Sequence, residues 1–212
     1  MTRRQDRQKS KRRNGSRDRR AGLAVALAGI CLLGAAALYR AAIGAGTPPR
    51  IGGDYVLVND QGRIVSQDSF HGRYTLVYFG YTHCVDVCPL TLSTVTAALA
   101  RLGPRQDDIV PLFVSVDPQR DTPAALHRYV AAFSPRIVGL TGNAADIDHM
   151  LVEFRAMARR HPDARAPDGY LMDHSSVLYL MDGDNRLVSL FPVDADAGEI
   201  AARLRRLLPP AS

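Results

Sequence analysis

Two uncharged apolar runs in the middle of this 212-residue sequence limit the folds that it can adopt. One is YTLVYF at residues 74–79 and the other is IVPLFVSV at residues 109–116. Continuous apolar strands rich in β-branched and aromatic residues are typical of parallel sheets buried on both faces. Between them lies a helix pattern from Pro89 to Leu102, which Gly103 and Pro104 end. This order predicts an α/β fold in which helices flank the sheet.

The chain beyond these two runs continues the alternation of strands and helices. The predicted order is β-hairpin, β, α, β, α, β, α, β-hairpin and α, and the closing antiparallel hairpin makes the sheet mixed. The other predicted strands are 55–58, 63–66, 137–140, 176–181 and 187–191, and the other predicted helices are 123–133, 144–159 and 196–208. The polar residues 160–173 are predicted to form a long loop. Pro111 cannot donate to a strand ladder, so pairing of its strand is predicted to begin after it.

The positive charge of the chain is concentrated in its first 20 residues. The whole sequence holds 27 Lys and Arg against 21 Asp and Glu, a formal net charge of +6. Residues 1–20 contain ten of these basic side chains and only two of the acidic ones, which leaves the remainder slightly acidic. The basic composition is therefore that of a tail, and it gives no reason to expect nucleic acid as the ligand of the folded domain.

An apolar run without a charged side chain follows the tail at residues 21–39. At about 1.5 Å per residue it spans roughly 28 Å as a helix, close to the ~30 Å hydrocarbon core of a bilayer. We predict a basic cytoplasmic tail at 1–20, one transmembrane helix at 21–39, a Gly- and Pro-containing linker at 40–52 and one folded domain at 53–212. A cleaved signal peptide is the alternative, since the small residues at 34–37 could mark a cleavage site. Either way the domain functions outside the cytoplasm.

Cys84 and Cys88 lie between the first central strand and the helix after it. N–H groups at a helix N-terminus lower the pKa of a thiol, and α/β sheets place their sites at the carboxyl ends of parallel strands. Thiolates are soft ligands that suit Cu(I), Zn or iron–sulfur clusters, but two cysteines are too few for a four-cysteine site within one chain. With a histidine as third donor they suit a three-coordinate copper site. A plain structural disulfide is the competing interpretation, because exported cysteines usually pair.

Six histidines are available as a third donor. His83 adjoins Cys84, so in extended backbone its ring would point away from the sulfur. His174 ends the polar stretch and immediately precedes a predicted buried strand, which makes it a candidate. The others lie in predicted polar loops or amphipathic helices: His71, His127, His149 and His161.

Three sequence blocks make the chain from about Gly53 to Leu208 resemble the Sco/SenC family, the copper-handling proteins of cytochrome c oxidase assembly. The blocks are YFGYTHCVDVCPLTL at 78–92, VSVDPQRDTP at 114–123 continuing to FSPRIVGLTG at 133–142, and DHSSVLYLMDGDNRLV at 173–188. Their order and spacing also fit that family, in which an N-terminal anchor is usual.

The resemblance implies a thioredoxin-like fold: a mixed sheet flanked by helices, with an extra N-terminal β-hairpin. It also implies copper, as Cu(I) or Cu(II), bound by Cys84, Cys88 and His174. Asp86 and Asp173 recur beside the ligands in the family, and they are interpreted either as groups that orient the donors or as solvated loop carboxylates.

Two functions fit such a protein. The first is a membrane-anchored copper chaperone that delivers copper to the CuA site of cytochrome c oxidase subunit II, with a copper donor protein as a second partner. The alternative is a thiol–disulfide reductase, in which the cysteine pair keeps the copper-ligand cysteines of the oxidase reduced. A copper- or redox-sensing module is a third class, and peroxide reduction fits the paired-cysteine motif poorly. The predicted location is the cytoplasmic membrane, with one span and the domain on its periplasmic side.

Overall fold

The structure is a computed structural model that describes residue 31 and residues 33–39, 50–166 and 168–210. Residue 31 and residues 33–39 are helical. Within these ranges, no helix combines the length and the apolar character needed to cross a membrane. The predicted tail at 1–20 and most of the predicted transmembrane helix and linker lie outside the described residues, so they stay predictions.

Nine strands lie between residues 50 and 210 in the part of the chain that the structure describes. They are β1 (Val56–Asn59), β2 (Ile64–Ser66), β3 (Tyr74–Gly80), β4 (Ile109–Ser115), β5 (Val138–Thr141), β6 (Ala158–Pro162), β7 (Tyr170–His174), β8 (Val177–Met181) and β9 (Leu187–Pro192). Seven of them form one sheet in the order β2-β1-β5-β4-β3-β8-β9. The two apolar runs are β3 and β4, which pair in parallel at its centre, whereas β1–β2 and β8–β9 are antiparallel hairpins. The predicted mixed sheet is confirmed.

Helices cover both faces of this sheet. They are α1 (Val87–Ala100), α2 (Pro123–Ala131), α3 (Ala144–Phe154) and α4 (Ala197–Leu207), and short 3-10 turns lie at Gln67–Phe70 and Gly103–Asp108. Leu76 and Tyr78 of β3 pack on the face covered by α1, α2 and α4, while Val77 and Phe79 pack on the face covered by α3. Burial on both faces explains why the sequence of β3 shows no polar alternation.

The chain between α3 and β8 differs from the prediction. α3 ends at Phe154 and not at 159, because Arg155 takes a left-handed conformation with a φ of 50°. The predicted loop at 160–173 is instead the antiparallel hairpin β6–β7, in which Ala158 lies opposite His174. β6 is almost wholly exposed, so its sequence lacks the apolar period by which a strand is recognised. His174 consequently lies at the end of a strand.

Pro111 delays strand pairing on one side of β4 only. Pairing with β5 begins at Leu112, after the proline, as the sequence predicts. Pairing with β3 begins already at Ile109 and includes Pro111 opposite Leu76, so the prediction is wrong on that side. The physical reason is that the N–H groups of successive residues in a strand point to opposite neighbours, so one missing donor affects only one ladder.

Candidate metal centre

Cys84, Cys88 and His174 meet where β3 ends and α1 begins. Their three donor atoms all lie within 4.8 Å of one another. Sγ of Cys88 is 3.6 Å from Nε2 of His174, although 86 residues separate them in sequence. Elsewhere in the described ranges, no other group of three His, Cys, Asp or Glu side chains has this spacing. The fold therefore brings together the three residues that the sequence analysis named.

Cys84 faces the N-terminus of α1, which begins at Val87, two residues earlier than predicted. The main-chain N–H of Cys88 donates to Sγ of Cys84 over 3.4 Å. The Cys88 thiol lowers the pKa of Cys84 most, and His174 and the N–H groups of Cys88 and Asp86 lower it further, which outweighs the opposing effect of half-burial. Of the two thiols, Cys84 is therefore the one whose pKa is lowered.

Cys88 has the opposite environment, because its side chain is 0% exposed. The neighbouring Cys84 sulfur and burial both raise the pKa of Cys88. The hydroxyl of Tyr78 donates to Sγ of Cys88 over 3.6 Å. Gly80 leaves room for the sulfur, since a Cβ at that position would lie 2.9 Å from it. Both cysteines are free in the structure, with Cys84 half-buried and Cys88 enclosed.

The imidazole of His174 is oriented by its own backbone and by two aromatic rings. Nδ1 lies 3.3 Å from the carbonyl oxygen of Ser175, to which its N–H can donate. In the tautomer that donates this hydrogen bond, the lone pair is on Nε2, the nitrogen that faces Cys88. Tyr78 and Tyr81 meet the imidazole edge-on, each with 5.9 Å between ring centroids. Neither tyrosine was foreseen, because their neighbour His174 is remote in sequence.

A buried carboxylate that the sequence analysis missed holds the loop before Cys84. Asp121 is 0% exposed, and its Oδ1 accepts a hydrogen bond from the Thr82 hydroxyl over 2.6 Å. Its Oδ2 accepts from the main-chain N–H of Thr82 over 3.0 Å and from the Ser115 hydroxyl over 2.6 Å. Nδ1 of His83 lies 3.7 Å from the same carboxylate, and His83 lies in a turn and not in the extended backbone considered in the prediction. The only sequence signal for Asp121 is its place in the RDTP block.

A second network ties the β6–β7 hairpin to the segment after β4. The Tyr170 hydroxyl donates to Oδ1 of Asp117 over 3.0 Å, and Arg120 donates to Oδ2 of the same carboxylate. The guanidinium groups of Arg120 and Arg160 lie 3.7 and 3.5 Å from the centre of the Tyr170 ring, within cation–π distance. Because Tyr170 begins the strand that ends at His174, these contacts hold the histidine's strand against the rest of the domain.

The two carboxylates named as neighbours of the ligands take little part in the site. Asp173 is exposed, and its carboxylate lies 3.7 Å from the guanidinium of Arg159. Asp86 precedes α1 and makes no side-chain capping hydrogen bond, so its contribution is the main-chain N–H directed at Cys84. The donors are oriented by main-chain groups and aromatic rings instead.

The sequence profile of the SCO1/SenC family matches residues 44–209. The chain belongs to the SCO1/SenC family. Among curated relatives, an SCO2-like protein of Rickettsia conorii is 39% identical over 157 residues, which cover 74% of this chain and 76% of that protein. The human SCO1 homolog, a mitochondrial protein, is 35% identical over 158 residues, which cover 74% of this chain and 52% of the human protein.

Solved structures of SCO1/SenC proteins confirm the thioredoxin-like mixed α/β fold. ScoI of Bradyrhizobium japonicum, solved with copper bound, is 40% identical with a TM-score of 0.68, covering 74% of this chain and 99% of that one. Yeast Sco1 with copper bound is 30% identical with a TM-score of 0.69, and the match covers 74% of this chain and 88% of the yeast chain. Copper is thus held in homologous structures, and this SCO1/SenC protein has a Cys–Cys–His group that could hold a metal.

Proposed function

We propose that this protein is a copper chaperone of cytochrome c oxidase assembly, which binds copper through Cys84, Cys88 and His174 and delivers it to the CuA site of subunit II. The observation that carries this proposal is the approach of the His174 imidazole to the buried sulfur, 3.6 Å from it. A disulfide exchange centre needs no imidazole there, whereas a three-coordinate copper site does. Family membership and the copper-bound relatives add support.

The donor set suits transfer as well as binding. Two sulfurs and one imidazole match the preference of Cu(I) for soft ligands and few of them. Cys84 is only half-buried while Cys88 is enclosed, so an incoming ligand from another protein can reach the metal from the Cys84 side. Copper can then pass by stepwise exchange of ligands, without covalent chemistry. The copper itself is the cargo, received from a copper donor protein.

Titration of the reduced full chain, purified in detergent, with Cu(I) and Cu(II) tests the site. We expect one copper per chain, lost in the Cys84→Ala, Cys88→Ala double variant and weakened in His174→Ala. His71→Ala is the matched control, because His71 is a histidine with a 72% exposed side chain outside the site. A wild-type protein that binds no more copper than the double variant would refute the proposal, as would equal effects of the two histidine substitutions.

A second function, thiol–disulfide reduction, is supported by the asymmetry of the cysteines. The accessible Cys84 thiolate would attack one sulfur of a partner disulfide and release the other as a thiolate. Cys88 would then attack Sγ of Cys84 in the mixed disulfide and break its bond to the partner sulfur, which leaves as a thiolate and takes up the Cys88 proton; the partner has then gained two electrons and a Cys84–Cys88 disulfide remains. Reduction of a disulfide-bonded peptide that survives in His174→Ala would favour this function, and oxidase assembly lost in the same variant would favour copper delivery.

We further propose that residues 21–39 anchor the chain in the cytoplasmic membrane, with residues 1–20 inside and residues 53–212 as the copper-binding domain on the periplasmic side. The uncharged run and the basic residues before it support this orientation. Protease treatment of spheroplasts should degrade a C-terminal tag and spare an N-terminal one. The reverse pattern would exclude this topology, and a mature protein that lacks residues 1–39 would identify a cleaved signal peptide.

A further inference from the structure

The enclosed sulfur of the site has a side-chain hydrogen-bond donor to which neither function above gives a role. The Tyr78 hydroxyl points at Sγ of Cys88 from 3.6 Å, a normal distance for a hydrogen bond to sulfur. Both groups are buried, with Tyr78 1% and Cys88 0% exposed, so water does not compete for this contact. Tyr78 lies on β3, two residues before Gly80, whose missing side chain lets the sulfur approach the strand.

We propose that Tyr78 is a positioning residue for copper, whose hydroxyl holds Sγ of Cys88 by a hydrogen bond and thereby biases the site toward Cu(I). This inference rests on the proposed copper site and adds to it a residue that sets the preferred oxidation state. Tyr78 acts through the sulfur and does not bind the metal itself. Its ring also contacts the edge of the His174 imidazole, so one side chain touches two of the three donors.

The direction of the bias follows from the electron demand of the metal. A hydrogen bond to a thiolate withdraws electron density from sulfur and weakens its donation to the metal. Cu(II) depends on that donation more than Cu(I) does, so the hydrogen bond disfavours Cu(II) and raises the reduction potential of the bound copper. The effect is largest in a dry site, because a low local dielectric strengthens hydrogen bonds.

Tyr78→Phe removes the hydroxyl and keeps the ring that packs on Phe113 and His174. Tyr129→Phe is a closely matched control. Its ring packs on the same Phe113, 5.5 Å between centroids, and its buried hydroxyl has no hydrogen-bond partner among the described residues. Both variants lose one buried phenol oxygen, but only the first loses a donor to sulfur.

The experiment measures the copper stoichiometry, the Cu(I)/Cu(II) reduction potential and the sulfur-to-Cu(II) charge-transfer band of the wild type and both variants, with thermal unfolding as the check on the fold. In Tyr78→Phe we expect Cu(II) binding to strengthen about tenfold relative to Cu(I), which lowers the potential by about 59 mV for one electron. The charge-transfer band should move to lower energy, since the sulfur electrons are held less tightly. Tyr129→Phe should leave the reduction potential and the energy of the charge-transfer band unchanged.

The outcomes separate this inference from the function on which it rests. Wild-type protein that binds no copper would overturn the proposed function itself. Full copper binding in Tyr78→Phe, with a potential and band equal to those of the wild type, would overturn the role of Tyr78 and leave the copper site standing. Equal shifts in the two variants would also overturn it, because the cause would then be the loss of any buried phenol near the site.

Discussion

Gly80 is the point at which the central strand β3 comes closest to the enclosed sulfur, and an added methyl group tests that fit. In Gly80→Ala the new Cβ would lie 2.6 Å from the ring of Phe113 and 2.9 Å from Sγ of Cys88. Comfortable contacts between such atoms are about 3.5–4.0 Å, so the separation has to grow by roughly 0.6–1.1 Å from the sulfur and by roughly 0.9–1.4 Å from the ring. Both neighbours are fully buried, which leaves no free space to take up the movement.

The stability of the protein and its affinity for copper should both fall in Gly80→Ala. Overpacking of this kind costs about 1–3 kcal/mol, and a loss of about 2 kcal/mol lowers the unfolding temperature of a chain this size by roughly 4–8 °C. Metal–ligand distances tolerate only about 0.2 Å, so a displaced Cys88 sulfur should weaken copper binding by about 10–100-fold. The loss of affinity comes from the position of one ligand, and it should persist at temperatures where the variant is fully folded.

Competition with a chromogenic Cu(I) chelator measures the affinity, and thermal unfolding measures the stability. Gly139→Ala is the control, because Gly139 lies on β5 opposite Phe113 and its Cβ would press on Asp60 and Leu126 at 3.2 Å, away from the donors. It should lose some stability and keep its copper affinity. A folded Gly80→Ala that binds Cu(I) as tightly as the wild type would refute the view that Gly80 sets the position of the sulfur.

Three further predictions concern the cysteine pair, the loop before it and a helix remote from it. In reduced, metal-free protein, iodoacetamide should label Cys84 well before Cys88. The rate of Cys84 labelling should change little from pH 7 to 9, because the pKa of Cys84 is lowered. Equal labelling of the two cysteines, measured by peptide mass spectrometry, would contradict this prediction. Asp121→Asn weakens charged hydrogen bonds in a buried site and should cost about 2–3 kcal/mol in urea unfolding, together with weaker copper binding. Asn143→Ala removes the cap of α3 and should cost about 1 kcal/mol while the copper affinity stays unchanged.

The elements that the sequence predicted well are those whose burial follows a regular pattern. The uninterrupted apolar runs of β3 and β4 gave both their position and their parallel pairing at the sheet centre. The hairpin β6–β7 gave no such signal, because the side chains of Arg159, Arg160 and His161 on β6 are exposed. β6 is a strand because it pairs with β7, and that pairing leaves no apolar pattern in the sequence. The prediction extends α3 too far because the left-handed residue that follows its last residue, Phe154, is Arg155 and not the usual glycine.

In the candidate site, too, some residues could be predicted from the sequence and others could not. Spacing predicted the cysteine pair as a soft-metal site or a disulfide, and it favoured copper only if a histidine supplied the third donor. Spacing could not single out His174, which entered through the family resemblance. Asp121 and Tyr78 were missed altogether, because their contacts with Thr82 and Cys88 depend on how separate segments pack and leave no trace in local periodicity.

Copper transfer and disulfide exchange, the two functions proposed for this protein, would compete for the same two sulfurs. A metal ion and a Cys84–Cys88 disulfide both draw on the thiolate lone pairs, so they exclude one another on a single chain. In the proposed copper site His174 would contribute an electron pair to the metal, whereas it would contribute nothing to a disulfide, and its Nε2 lies 3.6 Å from Sγ of Cys88. The accessible Cys84 thiolate can exchange with either a metal or a disulfide on another protein. The imidazole is therefore the group whose removal should convert a copper carrier into a simple dithiol.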